Sequence, residues 1–118
     1  MAVVTLTGFG LPSEQIYQQL RSVILAGQLG TAEKLPPVRQ LARDIGVAAG
    51  TVAKAYKLLE QDELVTTRAG GGTRVSSSVV TTPPAVLQAA RTLADVAARN
   101  GLDLEEAVTA LRASWTRD

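Results

Sequence analysis

The chain has 118 residues, 46% of them hydrophobic, and a net charge of +1, a size that suits one domain with at most a small appendage. It holds no cysteine and no histidine, which excludes disulfides, thiolate or imidazole metal sites, and Ser-His-Asp or Cys-His catalysis. No apolar run approaches the ~20 residues of a membrane span, and residues 1–10 lack the basic and apolar pattern of a secretory signal.

Residues 1–12 contain Gly8, Gly10 and Pro12 and read as a flexible arm. Ser13 is placed to cap the first helix. Ile16, Leu20, Val23 and Ile24 follow at helical spacing as one apolar face. Gly27 ends that helix, and Leu29 and Leu35 anchor the loop beyond it. Pro36 and Pro37 open the second helix, where a missing N–H forfeits nothing. Val38, Leu41, Ala42 and Ile45 face inward. Gly46 suits the positive φ of a tight turn, with Val47 packed beneath it. The third helix runs roughly from Ala49 to Gln61. It buries Val52, Ala55, Tyr56 and Leu59 and shows Gly50, Thr51, Lys54 and Lys57 on the opposite face. Residues 64–67 and 73–76 are β-rich runs flanking Gly70, Gly71 and Gly72, hence a hairpin.

Two short helices joined at Gly46, then a glycine hairpin flanked by Arg68 and Arg74, make a winged helix-turn-helix, mostly α with a small β-wing. The third helix starts with small residues and a hydroxyl before it presents Lys54 and Lys57. Small side chains let such a helix end enter a DNA major groove, where bulky ones block approach and acidic ones repel phosphate. The charge follows the motif: residues 34–74 carry a net +3, and the stretches on either side carry −1 each. Three glycines exceed what a turn requires, and close backbone approach to a groove accounts for the surplus.

The sequence divides into a winged helix with its arm over residues 1–76, a Ser/Thr/Pro linker over 77–84, and a two-helix region over 85–118. The stripe of Val86, Leu87, Ala90, Leu93, Ala94 and Ala97 marks a fourth helix that stops at Asn100-Gly101. Asp103 and Glu106 form a capping-box start for a fifth, whose stripe is Leu104, Val108, Leu111 and Trp115. Two helices cannot enclose both stripes, so they dock on the winged helix or on a second copy. The linker favours the second copy, and Leu87, Ala90, Leu93, Ala94, Ala97, Leu104, Val108, Leu111 and Trp115 are assigned to a homodimer interface. A two-fold dimer also reads an inverted repeat, which one winged helix cannot.

Leu35-Pro36-x-Val38-Arg39-x-Leu41-Ala42, Gly46-Val47, Thr51-Val52-Ala53-Lys54-Ala55-Tyr56, Leu59-Glu60 and Gly71-x-Thr73-x-Val75 resemble the DNA-binding domain of GntR-family transcriptional regulators. The Thr-Val-Ala-Lys-Ala-Tyr run and the short helical tail resemble the YtrA subfamily. The resemblance covers residues 11–76, and the tail in kind and length. It implies a bacterial, cytoplasmic, dimeric regulator of the repressor type that binds a double-stranded DNA operator and has no membrane association. It further implies that Arg39 contacts DNA, that Ala48, Ala49, Gly50 and Thr51 lie against base edges, and that Lys54 reaches a phosphate or guanine. Lys57 joins that face. Ala69, Gly70 and Gly71 would enter the minor groove with Arg68 and Arg74 beside them. The sequence departs from the family at Pro37, where serine is usual, at Ala48 and Ala49, where polar residues are common, and at Glu63, where glycine is usual.

The competing reading is a winged helix used for protein contacts, with the tail as docking surface. It predicts little salt dependence, and the basic recognition helix and arginine-flanked wing tell against it. No catalytic or metal constellation is present, so an enzyme is not expected. No cofactor is called for. A small-molecule effector, if one acts, is expected between protomers or between tail and DNA-binding domain, because a tail of about 35 residues is too small for a pocket of ~300–1,000 Å³.

Overall fold

A computed structural model describes residues 4–8 and 10–115, so residues 1–3 and 9 of the predicted arm lie outside the described residues. The chain forms two compact units, Met1–Thr81 and Thr82–Asp118. The boundary falls inside the expected linker. Its first half belongs to the first unit: Val79 packs on the core, just beyond Ser76, whose N–H donates to Leu64 O at 2.9 Å.

In the first unit α1 is Pro12–Leu25, α2 Val38–Ile45, α3 Ala49–Gln61, β1 Val65–Arg68 and β2 Gly72–Val75. Ser13 does not cap α1. The chain enters the helix at Pro12, whose fixed φ suits the first helical position, and Leu11 precedes it without a side-chain cap. Ser13 therefore falls within the first turn and is buried. Pro37 likewise stands just before α2 rather than inside it, with ψ at 144°.

Ile16, Leu20 and Ile24 are fully buried under α3, whose Val52, Ala55, Tyr56 and Leu59 are the residues expected inside. Leu41 and Ala42 of α2, Leu35, Val65 and Val75 complete this core. Each large aliphatic so buried contributes about 1.5–3 kcal/mol. Val38 and Ile45, expected inward, are only half-buried at its margin, and Val23 is likewise only half-buried.

The described part of the arm is docked, not loose. Val4 is buried in the core. Gln19 bonds both ways with the Thr5 backbone, accepting from its N–H at 2.8 Å and donating to its carbonyl at 2.7 Å. Gln15 does the same with Thr7, at 2.7 and 3.3 Å, and also donates to Gly10 O. Four residues of helix rise about 6 Å and two residues of extended chain about 6.6 Å. The two amides therefore match the arm in register, as a neighbouring strand would.

β1 and β2 pair antiparallel, Val65 opposite Val75 and Arg68 opposite Gly72, so the first strand begins and ends one residue later than expected. A third extended segment completes the sheet: Ala32 N–H bonds Val75 O, Val75 N–H bonds Glu33 O, and Leu35 N–H bonds Thr73 O, at 2.8–2.9 Å.

The helix ends share one device. The residue after the cap of α1 is Gly27, and that of α4 (Pro84–Arg99) is Gly101; both have positive φ and direct an N–H back to the helix carbonyls. At α3 the same position is Glu63, with φ 61°. Its N–H bonds Glu60 O and the Leu64 N–H bonds Leu59 O, a Schellman ending. The turn geometry usual for glycine is thus retained, at the steric cost of a Cβ.

The second unit is a helical pair. α5 is Leu104–Ser114, and Asp103 and Glu106 form the expected capping box. Its most buried residues are Ala97 and Ala107. Of the expected stripe, Leu87, Leu93 and Val108 are half-buried, while Ala90, Ala94, Leu104, Leu111 and Trp115 remain exposed. Between the helices runs an apolar groove of ≈ 800 Å³. The tail therefore does hold a ligand-sized concavity within one chain, contrary to expectation, as an open groove lined by both helices.

Glu63→Gly is expected to raise stability by about 1 kcal/mol, since glycine bears no left-handed penalty; equilibrium unfolding in urea measures it. A second expectation concerns pH. Burial pushes the Tyr56 phenol from 10.0 up to about 12. Stability from that neutral phenol is complete below pH 10 and is lost as pH rises from about 10 to 12. Tyr56→Phe should flatten this part of the alkaline stability profile, and ultraviolet titration of the two tyrosines should show late ionisation.

Candidate nucleic-acid interface

Gly46, with φ 72° and ψ 38°, makes the sharp turn between α2 and α3. Val47, half-buried, sits beneath it, and its N–H bonds Ala42 O at 3.0 Å. α3 then begins at Ala49 with Ala48 as its extended cap and no side-chain cap. Ala48, Ala49 and Gly50 are exposed, and nothing lies within 4 Å of a Cβ built on Gly50. This end of the helix is narrow and open. Thr51 is half-buried rather than fully outward, so only part of its side chain is available. Lys54 and Lys57 are exposed four and seven residues beyond Gly50, on the same helical face. Ala53, which the sequence reading passed over, is exposed beside them.

Arg39 is exposed at the second position of α2. Its location is set from α3: the Tyr56 hydroxyl donates to Pro36 O at 2.6 Å and ties the entry of α2 to the middle of the recognition helix. At the far end of α3, the Tyr17 hydroxyl of α1 donates to the Asp62 carboxylate. That bond, then burial, raises the Tyr17 phenol above its usual value, and Arg21 partly opposes the rise. Arg43 is exposed one turn from Arg39; its i, i+4 spacing was the overlooked signal.

The hairpin brings Arg68 opposite Gly72 and Arg74 opposite Thr66. Gly70 and Gly72 both have φ +75°, and a Cβ on Gly71 would meet the Arg68 Cβ at 3.3 Å. The turn itself thus uses the positive φ of Gly70 and Gly72, while a side chain at Gly71 would press on Arg68, so the turn accounts for two of the three glycines outright. Arg68, Ala69, Gly70 and Arg74 are exposed, with Gly71 half-buried. The Arg74 guanidinium donates to Ala32 O at 2.9 Å, so it braces the sheet as well as charging it. Among the described residues, Arg39, Arg43, Lys54, Lys57 and Arg68 make no ion pair or side-chain hydrogen bond. Their charge is available to an external anion.

Among the described residues no cluster of acidic side chains is placed to hold a metal ion, and no helix is long and apolar enough to cross a membrane. The nine residues expected at a dimer interface all lie in the second unit, along α4 and α5, and eight of them line its apolar groove. Leu87 does not.

The sequence profile of the family described as bacterial regulatory proteins, gntR family, matches residues 12–75. The HTH-type transcriptional repressor YtrA of Bacillus subtilis is 44% identical over 69 residues, which are 58% of this chain and 53% of that protein. The chain thus spans about half the length of that relative. The solved structure of YtrA from Sulfolobus acidocaldarius, a GntR-family transcription factor, superposes with a TM-score of 0.58 at 28% identity, covering 66% of this chain and 84% of that one. The AraR DNA-binding domain in complex with operator ORX1 superposes with a TM-score of 0.56 at 25% identity, covering 64% and 96%. The chain belongs to the gntR family of bacterial regulatory proteins and carries the winged-helix DNA-binding domain of its YtrA-like members.

Proposed function

We propose that the chain is a cytoplasmic repressor that binds an inverted-repeat DNA operator as a homodimer. The observation that carries the reading is the outward face of α3, narrow at Ala48, Ala49 and Gly50 and then doubly cationic at Lys54 and Lys57. In this reading the start of α3 enters the major groove. Thr51 bonds a base edge, and the alanine methyls touch thymine methyls. Lys54, Lys57 and Arg39 contact phosphates and fix the register. The hairpin tip at Ala69, Gly70 and Gly71 lies in the minor groove, with Arg68 and Arg74 against its walls. The operator complex of the AraR domain supports this mode of binding.

Dimerisation follows from the second unit. Leu104 is 74% and Trp115 59% exposed, beside a groove lined almost wholly by apolar side chains. Covering it with the same face of a second copy removes that surface from water and sets two recognition helices on one two-fold axis. Half-sites about one helical turn apart follow. The repressor sign is carried from the name of the YtrA relative: a dimer seated on an operator excludes other proteins from the same duplex.

Selection from random duplex DNA with the purified chain is expected to enrich an inverted repeat, with affinity falling steeply as salt rises. No enrichment and little salt dependence would return the winged helix to a protein-contact role. On the selected operator, Arg39→Ala should weaken binding by about 1–3 kcal/mol, read by fluorescence anisotropy. Truncation after Thr81, which keeps Val79 on the core, should give a folded monomer by light scattering with far weaker operator binding. A truncated chain that stays dimeric would remove the tail from the interface.

A further inference from the structure

We infer that Lys34 is a DNA-phosphate contact and that the outer face of the wing sheet, not its tip alone, is a binding surface. The inference rests on the DNA-binding reading above.

Lys34 lies on the extended segment beside β2, bridged antiparallel to Arg74. Arg74 is itself opposite Thr66 on β1. Residues opposite one another in a sheet share a face. Thr66, Arg74 and Lys34 thus form one row across the outer face, and all three are exposed, whereas Val65, Val75 and Leu35 point into the core. The next row toward the tip holds Arg68 opposite Gly72. Gly72 has no side chain, and Lys34 uses the gap: its Cε lies 3.7 Å from where a Gly72 Cβ would stand. The lysine stem therefore leans over Gly72 toward the row that carries Arg68.

No described residue neutralises this lysine. Among the described residues Lys34 makes no ion pair or side-chain hydrogen bond. The adjacent Glu33 carboxylate is turned away and accepts the Gly30 N–H at 3.0 Å. Residues 64–75 contain no acid. Arg74 is held by Ala32 O, so the mobile cations of this face are Lys34 and Arg68, one on each side of a bare glycine. Two cations flanking a strip of backbone suit a phosphodiester chain. Lys34 reads no base and acts as a compact point charge.

The test uses the full chain, a labelled random-sequence duplex of about 30 base pairs (three helical turns) and the selected operator. Each phosphate contact adds about 0.9 to the slope of log affinity against log salt. Lys34→Gln should lower the slope by about 0.9 and weaken binding about eightfold at ~0.1 M salt, by the same factor on both duplexes. Lys34→Arg should keep the wild-type slope. Lys34→Met replaces the glutamine variant if its thermal melt is displaced. An unchanged slope, or a loss confined to the operator, would overturn the inference while leaving the DNA-binding reading intact. A wild-type chain that binds neither duplex would sink both.

Discussion

The first unit depends on one division of labour within α3. Val52, Ala55, Tyr56 and Leu59 are packed into the core against α1, and this fixes the rotation of the helix about its own axis. Successive residues on a helix are about 100° apart. A one-residue slip would therefore bury Ala53, Lys57 and Glu60 and turn Gly50 and Lys54 out of alignment. The outward surface is thus specified from the inside. The middle and the C-terminal end of α3 are further held by tyrosines, Tyr56 to Pro36 and Tyr17 to Asp62, and each link joins α3 to a segment distant in sequence. The outward face of α3 inherits its rigidity from aliphatic burial and two phenols, with no ion pair contributing among the described residues.

The second unit obeys a different balance. Its two most buried side chains are alanines, and its large apolar residues face the groove or the solvent. A pair of short helices in that condition lacks the burial that offsets chain entropy. In the proposed dimer, the stability of this unit is inseparable from protomer concentration, because the surface that would fold it is supplied by another copy.

Much of the fold was legible because the relevant signals are local. The apolar period picked out the inner faces of α1 and α3, Gly46 marked the turn, and Asp103 with Glu106 announced α5. The third segment of the wing sheet was hidden, since Glu33-Lys34-Leu35 is too short for a strand pattern and is defined only by its hydrogen bonds to β2. Lys34 was overlooked for that reason. Ser13 misled because a good capping residue followed a proline that is itself a good first helical residue. The groove of the tail was missed because residue count bounds an enclosed cavity, not an open groove lined by both helices. Glu63 stood out only through the resemblance, as the residue where glycine is usual, and it does occupy a left-handed position.

The docking of the arm has a consequence for how its sequence can drift. Gln19 bonds only the main chain of Thr5, and Gln15 bonds mainly the main chain of Thr7 and Gly10. Much of the information that positions the arm is therefore written in the helix, beside what the buried Val4 and the half-buried Leu6 contribute from the arm. Position 5 can exchange for almost any residue with an N–H, while the two glutamines cannot shorten by even one methylene without losing reach. Relatives with unalike leading segments could dock them identically, and a glutamine pair spaced by four on the first helix would be the mark by which to find them.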